Sequence, residues 1–297
     1  MFESILNYGE YRYLKQAAAL VFITLLLYLS VAPGEPPNGG TWQGYTLGGI
    51  SAALILFLLW FGIRKRQYHC TETSLAGWAS AHVYLGISLP VVASLHCGFQ
   101  FDWNVHTLAY ALMMLVVLSG FYGLYAYLIF PAAVTANRNG TSRREMITAI
   151  ARLDETSLTL AEALGAKAHH HVLRDVVETR LGGMSRRQLI TGAGSSFLQW
   201  LRGGIFGASK QGDLGANRPG SEYFLRKCLN KFHNPAEINP VVELLKVLNE
   251  RQAMVSRVQH DIRYHSLMKC WLMLHVPISC ALLAAVLIHV ISVFFYW

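Results

Sequence analysis

Five long apolar stretches, almost without charge, constrain this chain more than any other feature: about Ala17–Val31, Leu47–Ile63, Leu75–Cys97, Leu108–Phe130 and Met268–Trp297. A helix needs about 20 mostly apolar residues to cross a bilayer. A soluble chain carries roughly a quarter charged residues; here the share is 14%, and the deficit is concentrated in these five stretches. Inside a bilayer the backbone must satisfy its own polar groups, which an α-helix does. The expected fold is therefore all-α and integral to a membrane, with five transmembrane helices. The first stretch is expected to be a span and not a cleaved signal, because no small-residue cleavage site follows it and Pro-rich Ala32–Gly40 reads as a loop.

Charge orders the spans. Arg64-Lys65-Arg66 ends the second stretch, and most other basic residues lie in Thr135–Ser266, whereas Ala32–Tyr45 and Gly98–Val105 contain no Lys or Arg. The positive-inside rule then places the N-terminus, the second loop and the block before the fifth span in the cytoplasm, with the C-terminus outside. A bacterial cytoplasmic (inner) membrane is expected. The net charge of +8 is accounted for by this asymmetry, so nucleic acid is not an expected partner.

The division expected is a four-helix transmembrane segment over 1–134, a helical cytoplasmic insertion over 135–266, and a fifth helix over 267–297 completing the bundle. Leu and Val recur at helical spacing in Arg143–Leu164 and Val241–Ile262, flanking Gly- and Ser-rich Gly182–Gly220. Phosphate-binding glycine motifs are absent. Ser185–Ile190 resembles a twin-arginine signal but follows four spans, and it reads as a solvated basic helix end. His169-His170-His171 reads as solvent-facing side chains on a helix. Cys70, Cys97, Cys228, Cys270 and Cys280 have no C-x-x-C spacing, which disfavours covalent haem, four-Cys zinc and a self-contained iron–sulfur cluster.

Ionisable residues are costly in a bilayer and mark function by default. The third stretch contains His82 and His96, and the fifth contains His275 and His289; both separations are 14 residues. Fourteen residues are just under four helical turns, so each pair shares a face at levels about 21 Å apart. His82 and His275 each lie seven residues into their stretch. The alternating topology makes the third and fifth helices parallel, which pairs His82 with His275 and His96 with His289. Each pair offers two imidazole nitrogens to a flat macrocycle, a ligand set suited to electron transfer. Two non-covalent haems b are the expected cofactors, His82 and His275 holding the cytoplasmic-side iron and His96 and His289 the outer-side iron. Arg66 and Lys269 are placed to neutralise propionates near the cytoplasmic surface.

His82-x13-His96 with His275-x13-His289 resembles the dihaem core of cytochrome b in quinol–cytochrome c oxidoreductases and the membrane domain of ferric reductases and NADPH oxidases. The resemblance covers the third to fifth spans. It implies stacked bis-His haems passing electrons between the membrane faces. The long insertion before the fifth helix is foreign to both families; a flavin or nicotinamide domain, which ferric reductases and oxidases carry, is not expected after the fifth span, and no quinol-site motif of the cytochrome b family stands in the sequence.

The expected function is a dihaem b-type cytochrome subunit of a membrane redox complex, exchanging electrons between a quinone pool and peripheral partners. Iron–sulfur, flavin or c-type cytochrome subunits are the candidate partners, with membrane lipid around the spans and quinone as a further candidate cofactor. No catalytic residue is assigned. His106, after Asp102-Trp103-Asn104, is a candidate alternative ligand or quinone-site residue, with Asp102 as its neighbouring carboxylate. The other reading of His106 is an interfacial histidine. Gly86, Gly120 and Gly123 suit close packing of a helix or a macrocycle, and Pro90 and Pro277 suit helix kinks. Two other functions compete: a divalent-metal transporter using the intramembrane histidines, and a haem-free scaffold or assembly subunit.

Overall fold

The computed structural model describes residues 5–31, 39–64, 75–179, 220–230 and 235–295. Among these every regular element is helical. After a 3-10 turn at Ile5–Asn7 come α1 (Arg12–Leu29), α2 (Trp42–Arg64), α3 (Leu75–Cys97) and α4 (Val105–Arg138). They are followed by α5 (Arg143–Ala163), α6 (Ala166–Glu178), α7 (Ser221–Leu229) and α8 (Pro235–Phe295). Five of them, α1 to α4 and α8, are long and apolar enough to cross a membrane. Arg66, Cys70, Ser185–Ile190, Tyr296 and Trp297 lie outside the described residues, as does nearly all of Gly182–Gly220.

The chain divides into two compact units, one of Met1–Leu128 with Met268–Trp297 and the other of Ile129–Leu267. In the first unit Leu47, Leu54 and Ile55 of α2 pack with Leu89 and Val92 of α3, Met113 of α4 and Leu282 of α8. Large apolar side chains are also turned outward: Phe22, Leu56, Leu118 and Phe294 are each more than half exposed. In water such a surface would be a liability; facing acyl chains it costs nothing, which supports transmembrane helices.

Local signals set the helix ends around the site. α3 stops where Gly98 and Phe99 enter the left-handed region, at φ of 56° and 58°. The side-chain oxygen of Asn104 accepts the Thr107 N–H at 3.0 Å, capping the start of α4. That cap places His106 in the first turn of α4, one short loop after His96.

In the second unit α5 opens with a reciprocal capping box between Ser142 and Glu145. Leu225 of α7 and Val172 of α6 pack with Val241 and Leu244 of α8. A second cluster joins Met146 and Ile150 of α5 to Val255 and Val258 of α8. Asp261, with no side-chain exposure, accepts hydrogen bonds from Arg138 Nε at 2.7 Å and from Arg143 Nε.

Candidate metal and cofactor centre

All five span histidines lie in the first unit, where they form two groups. His82 on α3 is within electrostatic reach of His275 on α8. Fourteen residues further along both helices, the rings of His96 and His289 have centroids 6.3 Å apart. Equal steps in the same sense on both helices require α3 and α8 to run parallel.

His106 joins the second group, its ring 5.3 Å from His96 and 4.6 Å from His289. One ligand-capable atom from each of the three lies within 4.8 Å of the others. A triangle with these sides places one point about 3.2 Å from every ring centre. A metal–imidazole bond of about 2 Å, plus roughly 1 Å from nitrogen to ring centre, gives nearly the same distance. The three imidazoles are thus close enough for one nitrogen from each to meet a single ion.

Hydrogen bonds decide the tautomers of two rings. His96 Nδ1 lies 2.7 Å from the Gly44 carbonyl, which can only accept. Nδ1 therefore carries the proton, and Nε2 keeps its lone pair. His275 Nδ1 is 2.7 Å from Ser119 Oγ. That hydroxyl already donates its one proton to the Val116 carbonyl at 2.8 Å, so it must accept from His275. His275 too is left with Nε2 unprotonated. A ring nitrogen held by a second partner while the other presents a lone pair is the arrangement of a metal-ligating histidine.

His82 interacts with the Leu58 backbone, and its buried Nδ1 has no hydrogen-bond partner among the described residues. The ring lies against Phe61 at 5.0 Å. An unpartnered buried imidazole nitrogen calls for an explanation, and a metal supplies one.

A cavity of about 420 Å³ opens beside the second group, lined by His96, His106 and His289 and by several small residues including Gly48, Gly49, Ala52 and Ala93. Cofactor pockets occupy roughly 300–1,000 Å³. Gly48 is the closest fit: a Cβ there would sit 2.7 Å from His96 Cε1. The residues thus match a haem-sized group between His96 and His289 in donor set and spacing, while the His106 ring stands in the gap. The His106 ring lies nearer to the midpoint of the His96–His289 line than to either ring, inside the outline of a macrocycle centred there. It must turn aside for the gap to be filled.

The remaining sequence candidates are placed as follows. Asp102 is exposed and outside the histidine group. Lys269 is exposed, and Arg66 is not among the described residues. Gly120 stands 4.0 Å from His275 Cε1 measured from an added Cβ, an ordinary contact. Gly123 is the seat of Trp271, whose ring would lie 2.1 Å from such a Cβ. Trp271 Nε1 donates to the Ser119 carbonyl at 2.8 Å, and its ring lies 5.1 Å from His275. A Cβ added at Gly86 would meet Leu58 Cδ2 at 4.0 Å, an ordinary contact.

Sequence reasoning missed Gly44, Gly48, Ser119 and Trp271, and the Cys97 Sγ contact to His106 Nε2 at 3.0 Å. Small or polar residues inside apolar spans were the available signal. No protein-family model, curated protein or solved structure matches the chain.

Proposed function

We propose that this chain is a dihaem b-type cytochrome subunit that carries electrons across a membrane. In this reading α1 to α4 and α8 span the bilayer of a bacterial inner membrane, with the N-terminus and the unit Ile129–Leu267 in the cytoplasm. His82 and His275 hold the cytoplasmic-side haem, and His96 and His289 the outer one. The observation that carries the reading is the cavity at the second level, with two imidazoles set at the spacing of an axial pair and one of them locked as the tautomer that ligates.

When bound, each haem would supply an iron that gains and loses one electron, held by the two imidazoles of its level. The rest of the work belongs to the chain. Gly44 and Ser119 hold the His96 and His275 rings in orientation, so little rearrangement accompanies a change of charge. Gly48, lacking a side chain, makes room for the His96 ring itself, and the apolar walls exclude water. Lys269, and Arg66 beyond the described residues, are assigned to the propionates on the basic side. Exchange with a quinone pool and with iron–sulfur, flavin or c-type cytochrome subunits completes the reading, because electrons need an entry and an exit.

A reduced-minus-oxidised spectrum with a pyridine haemochrome assay on the detergent-purified chain tests this. Two haems b per chain are expected, with one lost in His82→Ala and one in His289→Ala. A chain purified from haem-replete cells without haem would sink the reading. The convergence of three imidazoles on one point favours a second reading, a divalent-metal site without porphyrin, as a transporter would use. Stoichiometric zinc, copper or iron without haem absorbance is its signature. Its weakness is the second level, His82 and His275, which it leaves without a purpose.

A further inference from the structure

The outer histidine group holds three rings, of which a bis-imidazole centre uses two. His96, His106 and His289 come from three different helices, α3, α4 and α8, and each is only partly buried. One ligand nitrogen from each lies within 4.8 Å of the other two. Nitrogens around a tetrahedral ion, with bonds of about 2.0 Å, stand about 3.3 Å apart. Closing the group onto an ion therefore takes shifts of no more than roughly 1.5 Å, which side-chain rotation supplies. A flat macrocycle makes the opposite demand, because it needs the gap in which the His106 ring stands.

We infer that His96, His106 and His289 bind one divalent cation of the zinc class in the chain without haem. The inference does not rest on the dihaem reading, since it asks only for the three rings as they stand. It gives the bare-metal alternative its ligands and its ion without requiring transport. The donor set chooses the ion. Among the described residues no carboxylate joins the group, and Asp102 is exposed and outside it. Mg2+ and Ca2+, which take oxygen ligands, are thereby disfavoured, whereas imidazole suits zinc, copper, nickel and iron. Three histidines with a fourth position left for water form an open tetrahedral zinc set. The cavity lined by the same three residues gives that fourth ligand room. Two of the rings are already supported for the task. The Gly44 carbonyl takes the Nδ1 proton of His96 at 2.7 Å and leaves the Nε2 lone pair to the ion. The Cys97 sulfur, 3.0 Å from His106 Nε2, can accept a proton there and leave the lone pair on Nδ1. An ion held this way ties α3, α4 and α8 together.

The test titrates the full chain, purified in detergent from haem-deprived cells, with Zn2+ by calorimetry and with Mg2+ as the control. One Zn2+ per chain is expected, with a rise in melting temperature because the ion binds the folded state, and no response to Mg2+. X-ray absorption at the zinc edge is expected to show three imidazole nitrogens at about 2.0 Å, a readout that needs no variant. Loss of a supporting partner costs about 10–100-fold in metal affinity, and loss of a ligand costs more, so His106→Ala is expected to weaken Zn2+ binding by at least about 100-fold. His82→Ala, at the other level, is expected to leave it unchanged. Circular dichroism reports that each sample keeps its helices. Undiminished Zn2+ binding in His106→Ala would put the ion elsewhere, for instance on His169-His170-His171, and overturn the inference. A wild-type chain that binds no Zn2+ overturns it too, as does a haem-deprived chain that loses its helices, because the three rings are then not gathered. Haem content is measured separately on chain from haem-replete cells. Two haems there, with no Zn2+ binding in the haem-free chain, remove the cation site and leave the dihaem reading standing; Zn2+ binding without any haem does the reverse.

Discussion

An imidazole in a bilayer has to be neutral to be tolerated, and a neutral imidazole has one donor and one acceptor to satisfy. The Gly44 carbonyl takes the proton of His96 Nδ1, and the Ser119 hydroxyl takes that of His275 Nδ1. Ser119 is constrained in turn because its own proton is spent on Val116. Loss of such a supporting partner costs about 10–100-fold in metal affinity. If the chain binds two haems as proposed, Ser119→Ala is expected to weaken the retention of the inner one by that order, with the outer one unaffected; haem-transfer rates to an apo-acceptor measure it. Equal retention in variant and wild type would remove Ser119 from the site. Gly48 is the complementary case. Gly48→Val brings side-chain carbon into the His96 ring, which a Cβ alone would already approach to 2.7 Å. The expected result is selective loss of the outer haem with normal helical content by circular dichroism.

Elements hold these residues in register by ordinary helix chemistry. α3 and α8 present their histidines at two levels because 14 residues return a helix almost to the same face. α8 is fitted to α4 by Trp271, seated over Gly123 and tied to the Ser119 carbonyl. A methyl group at Gly123 has nowhere to go, so Gly123→Ala is expected to cost about 1–3 kcal/mol of overpacking and to disturb the inner centre through His275. Thermal unfolding in detergent together with the inner-haem spectrum checks both effects. In the unit Ile129–Leu267, burial alone would raise the Asp261 pKa, but the hydrogen bonds from Arg138 and Arg143 outweigh it and hold the carboxyl below its usual range. A carboxyl whose pKa is lower folded than unfolded contributes stability that is complete above about pH 4 and drains away as the pH falls further. Hydrogen exchange over residues 129–267 should therefore accelerate in acid. Asp261→Asn should flatten that acid response and cost about 2–3 kcal/mol at neutral pH, since both guanidinium partners remain partly exposed. An unchanged acid response in the variant would assign it to other carboxylates.

For the whole molecule, the distribution of charge makes a prediction about orientation. If the chain spans the membrane as proposed, reporters fused after residue 40 or residue 100 report the outer side, and reporters within 140–260 report the cytoplasm. The opposite pattern would exchange the sides assigned to the two haems. The all-helical architecture and the five long apolar helices were legible in the sequence because hydropathy and helix length are local properties. α3 begins and ends at the expected Leu75 and Cys97, whereas α4 runs past the expected Phe130 to Arg138. Polar residues continue a helix once it emerges from an apolar run, and hydropathy cannot see them. The histidines were equally legible, as rare ionisable groups at a repeated spacing.

Their surroundings were not. Which carbonyl meets His96, which hydroxyl meets His275, and that His106 turns toward the other two are outcomes of how α2, α3, α4 and α8 pack, with Ser119 and His275 already 156 positions apart. Sequence by itself determined that the apolar stretches are helical and at which levels they carry the histidines, which follow from a 1.5 Å rise and a 3.6-residue turn; it did not set the helix ends, since α4 runs on to Arg138 and α8 begins at Pro235. Only the tertiary structure decided the tautomers, the cavity and the third imidazole, because a hydrogen-bond partner is chosen by distance in space, and helix packing alone sets that distance.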